Sequence, residues 1–435
     1  MKKFIKFIKF IKFFILITFL WNIIIYLIHF NEETIINSNS LTTIDNEINQ
    51  KYCGINEECK FLFAYHVPEQ ETSANFHFYS FIQLAELLNR TIILVNVQHS
   101  RLSSCNKFPF NFYYNINEIK KMFPNVNFIT QQDFLNWTKE RYNKPTTTHK
   151  YIKQEGNPLI LNTNHLELKK ECLDQFDLKF NNNDDFIINN KTTINLGPKD
   201  VWRKYSNNIL MIDNLIKLLN VKEEVLLIRH LLPVPLFPSK GSVKKLPYAN
   251  HLIEATNHAS DQLRPFIAIH WRMEITKPKM MPMCVKSLIK YINELKMDLG
   301  LFNIYLATDY PLINVGGNKA QSSTFHIITN YHHDAIKLLN GTFNLNTWVS
   351  MKTLNYLFNE FPDYENEIIE ELQGSGIQGI FDKLMLTNSN YFISGPEGCA
   401  HVKSKFSRKI GEERRRLIRD RNINILNNIT RWPLY

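Results

Sequence analysis

Short apolar runs of strand length alternate with stretches of helical apolar spacing in two separate parts of this chain, which strongly limits its architecture. FLFAYHV (61–67) reads as a strand, FYSFIQLAELLN (78–89) as a helix, and RTIILVNV (90–97) as a second buried strand. Strand, helix, strand is a βαβ unit, whose strands must run parallel. The order returns past residue 250. HLIEATNHAS is helical, PFIAIHW (265–271) a strand, and VKSLIKYINELKMDLG a helix closed by Gly300. NIYLATD (303–309) and FHIIT (325–329) follow as strands, FDKLMLTNSN as a helix, YFISG (391–395) as a strand, and 401–420 as a long basic helix. Residues 208–230 read as helical, and the segment from 125 to about 195 is mixed and Asn-rich. LLPVPLFPSKGSVKKLPYAN (231–250), with four prolines, reads as a linker. The expectation is α/β: two Rossmann-like domains, an N-terminal one over 53–240 and a C-terminal one over 241–435, in a chain of 435 residues.

The start of the chain is different. MKKFIKFIKFIK precedes FFILITFLWNIIIYLIHF (13–30), an apolar run at the short end of a membrane-spanning helix. No small-residue cleavage site follows, so an uncleaved signal anchor is expected over 1–30, with a cleaved signal peptide as the alternative. The lysine flank stays cytosolic and the remainder enters the lumen. Polar residues 31–52 read as a stem. Sequons at Asn89, Asn136, Asn190, Asn340 and Asn428 fit that placement. So do six cysteines, an even number that suits up to three disulfides; Cys53 and Cys59 are near enough for a small loop bridge. The net charge of +10 is concentrated: five lysines lie in the membrane flank, and most of the rest falls between Lys403 and Arg421. That distribution argues against nucleic acid as a partner and suits a local site for a small anion.

Open α/β sheets bind ligands beyond the carboxyl ends of their strands. Three loops there carry chemistry. His270 and Arg272 fall on the same side of a strand that ends in His-Trp-Arg-Met-Glu, where an arginine fork suits a diphosphate and Glu274 can hold it; a structural ion pair is the alternative. Ala307-Thr308-Asp309 suits capping of the Tyr310-Pro311 turn. GPEGCAHVKSKFSRK opens a helix whose free N–H groups, with Ser404, Ser407 and Lys405, suit phosphate, or else simply starts a solvated basic helix. In the N-terminal half, Glu69 and Glu71 lie between the first strand and the first helix, as a general base or as acids that complement the helix dipole. No dinucleotide or ATP-loop glycine pattern is present, and the cysteine spacing lacks a zinc pattern.

In combination, these motifs resemble the GDP-fucose protein O-fucosyltransferase family. FIAIHWRME is similar to its strand-plus-His-x-Arg motif, closest to the plant-type branch with Glu274 and the later Cys284. NIYLATD is similar to its next strand. FDKLMLTNSNYFISG…SKFSRKIGEER resembles its last motif, and FIQLAELLNRTIILVNV its first helix and strand; the likeness spans about 60–105 and 245–420. The resemblance implies a GT-B fold, a GDP-fucose donor bound mostly by the C-terminal domain, transfer with inversion to a protein or glycan acceptor, and no obligatory metal. It also implies a phosphate-binding role for Arg272 with His270 as its partner, a nucleotide-holding role for Asp382, and a place around the phosphates and base for Ser404, Phe406 and Ser407. Two positions depart from the pattern. The N-terminal loop, Glu69 to Asn75, has no arginine where the family places one, so Glu71, followed by Glu69, is the expected base. Lys405 replaces a small hydroxyl residue. The runner-up is a non-catalytic GDP-sugar- or glycan-binding relative in the same membranes.

Overall fold

The computed structural model describes residues 16–27, 43–54, 58–67, 69–155, 172–180, 193–198, 209–231, 236, 245–313, 316, 325, 327–402 and 404–435. Two sheets organise them. The larger has nine strands: β1 (Phe61–Val67), β2 (Thr91–Leu94), β3 (Val97–Gln98), β4 (Arg101–Ser103), β5 (Phe128–Thr130), β6 (Thr146–Glu155), β7 (Lys179–Phe180), β8 (Thr193–Pro198) and β9 (Val225–Leu231). Its path runs β3-β4-β1-β9-β6-β7, with β2 pairing β1 and β5, and β8 pairing β6. Pairing is parallel except where β4 meets β1 and β3. All seven residues of β1 are buried, because helices and loops cover both faces of a parallel sheet. Phenylalanines fill its core: the rings of Phe61, Phe63 and Phe176 pack around Phe134, with centroids 5.2 to 5.4 Å away.

The smaller sheet is fully parallel, in the order β11-β10-β12-β13: β10 (Phe266–Trp271), β11 (Asn303–Thr308), β12 (Tyr391–Ser394) and β13 (Thr430–Arg431). Register pairs His270 with Ala307 and with Ser394, so β10, β11 and β12 end together at one edge. The helices used below are α1 (residues 43–53), α2 (Glu71–Leu87), α3 (Gln131–Glu140), α4 (Ile209–Leu219), α5 (Asn250–Leu263), α6 (Met281–Leu299), α7 (Asn330–Phe343), α8 (Glu365–Gln373), α9 (Ile377–Asn388) and α10 (Lys405–Arg419). The result is a mixed α/β protein built on parallel sheets.

Three expectations are corrected. Residues 43–52, read as stem, form α1, which docks on the first sheet. Asp45 accepts from the N–H groups of Tyr142 and Asn143, and Asn49 Oδ1 accepts from Trp137 Nε1 at 3.0 Å. Ile48, Tyr52 and Cys53 pack on the core while Ile44 is exposed, and much of the docking is polar, which leaves no sustained hydrophobic period to read. Residues 208–230 are helical only as far as Leu219. VLLIRHL is instead β9, the strand between β1 and β6, and a continuous apolar run has no period to tell a buried strand from a buried helix. FHIIT forms no strand among its described residues, and Thr329 instead supplies the N-cap of α7. The expected capping of the Tyr310-Pro311 turn is present: Thr308 Oγ1 accepts from the Tyr310 N–H at 3.2 Å. Of the expected anchor, residues 16–27 are a helix with exposed apolar side chains; 1–15 and 28–30, the stem at 31–42, most of the linker and Asn190 lie outside the described residues. Among the described residues no helix is long and apolar enough to cross a membrane.

All six cysteines pair: Cys53–Cys59, Cys105–Cys172 and Cys284–Cys399. The last ties the first turn of α6 to the loop that leads into α10.

Candidate functional site

Strand alternation sends His270 and Trp271 to opposite faces of β10. Trp271 Nε1 donates to the Cys399 carbonyl at 2.9 Å, anchoring the loop before α10 from below. His270 faces α10: its Nδ1 lies 2.7 Å from Ser407 Oγ and its ring 4.8 Å from that of Phe406. Burial, with the Arg272 charge adding to it, holds the imidazole down at about 3, so it is neutral at physiological pH.

One residue past the strand, Arg272 turns toward Glu274, with Nη2 2.5 Å from Oε1. The expected Arg272–Glu274 pair is present. Asp309, at the end of the neighbouring strand, accepts from the N–H groups of Met273 at 2.8 Å and Glu274 at 3.1 Å. Thus β11 fixes the loop that carries the arginine. Burial raises the Asp309 carboxyl to about 7.

The third wall is α10 and the loop before it. Gly395 is required where that loop folds back: a Cβ there would stand 2.2 Å from Ala400 Cβ. Ser404 caps α10 and accepts from the Ser407 N–H at 3.5 Å. Between these walls lies a cavity of about 430 Å³. His270, Ser404 and Ser407 line it together with four arginines, Arg272, Arg408, Arg415 and Arg431, and among the described residues no carboxylate lines it. Such a lining, at the ends of parallel strands and the start of a helix, is chemistry for an anion.

Arg408, Arg415 and Arg431 were not singled out from the sequence. Arg408 and Arg415 were legible in principle, since Ser404, Ser407, Arg408, Gly411 and Arg415 share one face of a helix at 3.6 residues per turn. Arg414, next to Arg415, does different work: fully buried, its Nη1 donates to the carbonyls of Leu386, Thr387 and Ser389. Arg431 comes from a two-residue strand with no sequence signature.

The other expected residues divide. Lys405 bridges the halves, with Nζ 3.3 Å from Ser73 Oγ and 3.9 Å from Glu69 Oε2. Glu69 is partly exposed, and neither it nor Lys405 lines the cavity. Glu71 is not in the loop but is the first residue of α2, 4 % exposed and ion-paired with Lys383 Nζ, while Tyr248 OH donates to its Oε1 at 2.9 Å. Asp382 points into the core and accepts from Tyr305 OH at 2.5 Å, and burial raises it to about 7. It does not line the cavity. Near the Lys405 bridge, burial and the lysine charge hold His77 at about 3.

No protein-family model matches the chain, and no curated protein matches it. Solved structures similar to it include POFUT1 (GDP-fucose protein O-fucosyltransferase 1) in complex with GDP, at 14% identity and a TM-score of 0.46 over 86% of this chain and 99% of that one. POFUT1 in complex with GDP-fucose is similar at 14% identity and a TM-score of 0.40 over 86% and 98%. Its apo form is similar at 14% identity and 0.43 over 82% and 95%.

Proposed function

We propose that this chain is a GDP-fucose-dependent glycosyltransferase. It moves fucose, with inversion, to a protein or glycan hydroxyl from within a GT-B arrangement of two Rossmann-like halves. The observation that carries this reading is the arginine-lined, carboxylate-free cavity at the shared ends of β10 and β12, built from the residues whose motifs resemble the O-fucosyltransferase family. The diphosphate of the donor would take Arg272, the Ser404 cap region and the other arginines. Arg272 is oriented by Glu274, and its loop by Asp309. Fixed positive charge at that point stabilises the charge that develops on leaving GDP, and the reading needs no obligatory metal. His270, neutral and paired with Ser407, shapes the wall without competing as a cation.

The acceptor hydroxyl would lose its proton to Glu69. Glu71, held by Lys383 and Tyr248, instead fixes the start of α2 that follows it. The lysine-flanked apolar start supports reading the chain as a single-pass type II membrane protein of the endoplasmic reticulum or Golgi, with its folded part in the lumen. Because Glu71 is ion-paired with Lys383 and Glu69 does not line the cavity, a second reading is a binding-only relative that holds the same donor. Calorimetry of the purified full chain with GDP-fucose, GDP-mannose and UDP-sugars, beside an assay of donor hydrolysis and transfer, tests both. GDP-fucose binding with turnover is the expected result. Binding without turnover supports the second reading, and no affinity for any GDP-sugar rejects the first and the second alike.

A further inference from the structure

Arginines enclosed by this fold are compensated, with one exception. Arg90 donates to the carbonyls of Phe61, Val221, Glu223 and Glu224, Arg141 is ion-paired with Asp45 and Glu224, and Arg414 is held by carbonyls around the end of α9. Arg229 differs. It stands near the carboxyl end of β9, between β1 and β6, and is 4 % exposed. Its Nε and Nη1 are buried with no hydrogen-bond acceptor, and among the described residues no carboxylate is ion-paired with it.

Its surroundings supply further donors and no counter-charge. Register pairs Arg229 with Tyr151 and Leu227 with His149 across β9 and β6, so His149, Tyr151 and Arg229 share one face of the sheet. Tyr65 joins them, its OH 3.3 Å from His149 Nε2. All three neighbours are buried, and the Tyr151 hydroxyl has no hydrogen-bond partner. Burial keeps the Tyr65 and Tyr151 hydroxyls protonated, although the Arg229 charge pulls the other way. Burial, with the charges of Arg229 and Lys150 adding to it, holds His149 down at about 4, so the imidazole is neutral. Alternation sends Lys150 itself to the opposite face. A shielded charge without a counter-ion is costly, and a guanidinium can only donate. The group that this cluster lacks is an acceptor carrying negative charge.

We infer that Arg229, Tyr151, Tyr65 and His149 form a second anion site, separate from the arginine-lined cavity, which takes one singly charged group: a halide ion or a carboxylate. A single cation among neutral donors sets that charge, because a sulfate or phosphate dianion would leave buried negative charge over. The place, toward the carboxyl ends of parallel strands, is where such sheets take ligands. The inference does not rest on the donor reading.

The test is the melting temperature of the purified full chain in chloride or acetate, against a bulky morpholine sulfonate at equal ionic strength, with chlorine NMR line broadening as a direct reading of bound chloride. Wild type should melt at least about 3 °C higher in chloride or acetate than in the sulfonate. Acetate should displace chloride, and sulfate should not at equal concentration. Tighter binding of acetate identifies a carboxylate as the occupant, and tighter binding of chloride a halide. Arg229→Met, which removes the uncompensated charge, should melt no lower than wild type in the sulfonate and lose the anion-dependent shift. Tyr151→Phe keeps the charge and removes one donor, so half-saturation should need about tenfold more chloride. The inference is overturned by the absence of an anion-dependent shift in wild type, by an equal shift in Arg229→Met, by a folded Arg229→Met that melts lower in the sulfonate, or by displacement with sulfate as readily as with acetate. If Arg229→Met does not fold, Tyr151→Phe decides, and unchanged half-saturation there overturns it.

Discussion

Replacing Arg272 by alanine removes more than a positive charge. Glu274, only 5 % exposed at its side chain, loses the guanidinium at 2.5 Å and keeps His401 Nδ1 at 3.8 Å as a more distant neighbour. Asp309 loses a cation that lowers its pKa while the Glu274 charge that raises it remains. The variant therefore weakens GDP in two ways: a charge-assisted contact to diphosphate disappears, and a nearby carboxylate becomes less well compensated. Truncating one partner of such a pair costs about 2–4 kcal/mol, which is roughly a 30- to 700-fold loss of affinity. The two contributions separate in a double variant. Arg272→Ala with Glu274→Gln should recover the repulsive part only, so its affinity falls between wild type and the single variant. Arg272→Lys should recover little, because a point charge does not reproduce a planar fork. Titration calorimetry with GDP, with circular dichroism to verify folding, measures all four proteins. Equal GDP affinity in wild type and a folded Arg272→Ala would remove Arg272 from the site, and the donor reading with it.

Glu69→Gln should lower turnover by about 10²–10⁴-fold with melting temperature and GDP affinity nearly unchanged, as for a general base; turnover within a few-fold of wild type places the base elsewhere. Glu71→Gln should act on stability, by about 3–5 kcal/mol, because it strands Lys383 in a buried site; a chemical denaturation midpoint equal to wild type refutes that role. Asp382 has a folded pKa of about 7 against an ordinary value of 3.8, so the unfolded chain gives up this proton first as pH rises. Stability is consequently lost between about pH 4 and 7, and Asp382→Asn should match wild type near pH 4 and melt higher at pH 8, with GDP affinity unaltered; a difference that does not grow with pH rejects this account. In microsomes the full chain should be protease-protected, resistant to alkaline extraction and sensitive to endoglycosidase, and release into the soluble lumenal fraction defeats the anchor.

The parts of the fold that the sequence expressed clearly are short apolar runs of strand length set off by turns and by amphipathic helices. β1, β10, β11 and β12 are apolar runs at the expected positions, and Gly300, with φ of 62°, closes α6 as a left-handed cap. Residues 225–229 of β9 are as buried as β1, but no glycine or proline separates them from the helical spacing of 209–219, and so β9 reads as a continuation of that helix. Where docking is polar there is no sustained period, as in α1. In the site, Arg272, Ser404 and Ser407 were placed by local chemistry at strand and helix ends, and the cavity gathers all three. Glu71 and Asp382 stand outside the cavity because their partners lie far along the chain. Lys383 is 312 residues from Glu71, and Tyr305 is 77 from Asp382. Local reading finds an acid; only the tertiary contact decides whether it is solvated, paired or protonated.

The Cys284–Cys399 bridge makes the wall of the arginine-lined cavity answerable to redox conditions. It joins the first turn of α6 to the turn that precedes Ala400, His401 and Ser404, all of which stand in the cavity wall. Strand pairing in the second sheet does not need it, so chain made in a reducing cytosol can keep β10, β11 and β12 in register while the wall over their ends loses its covalent tether. The scaffold of this edge is thus written in hydrophobic pattern, whereas the wall over it is tied by one covalent bond whose persistence depends on redox conditions.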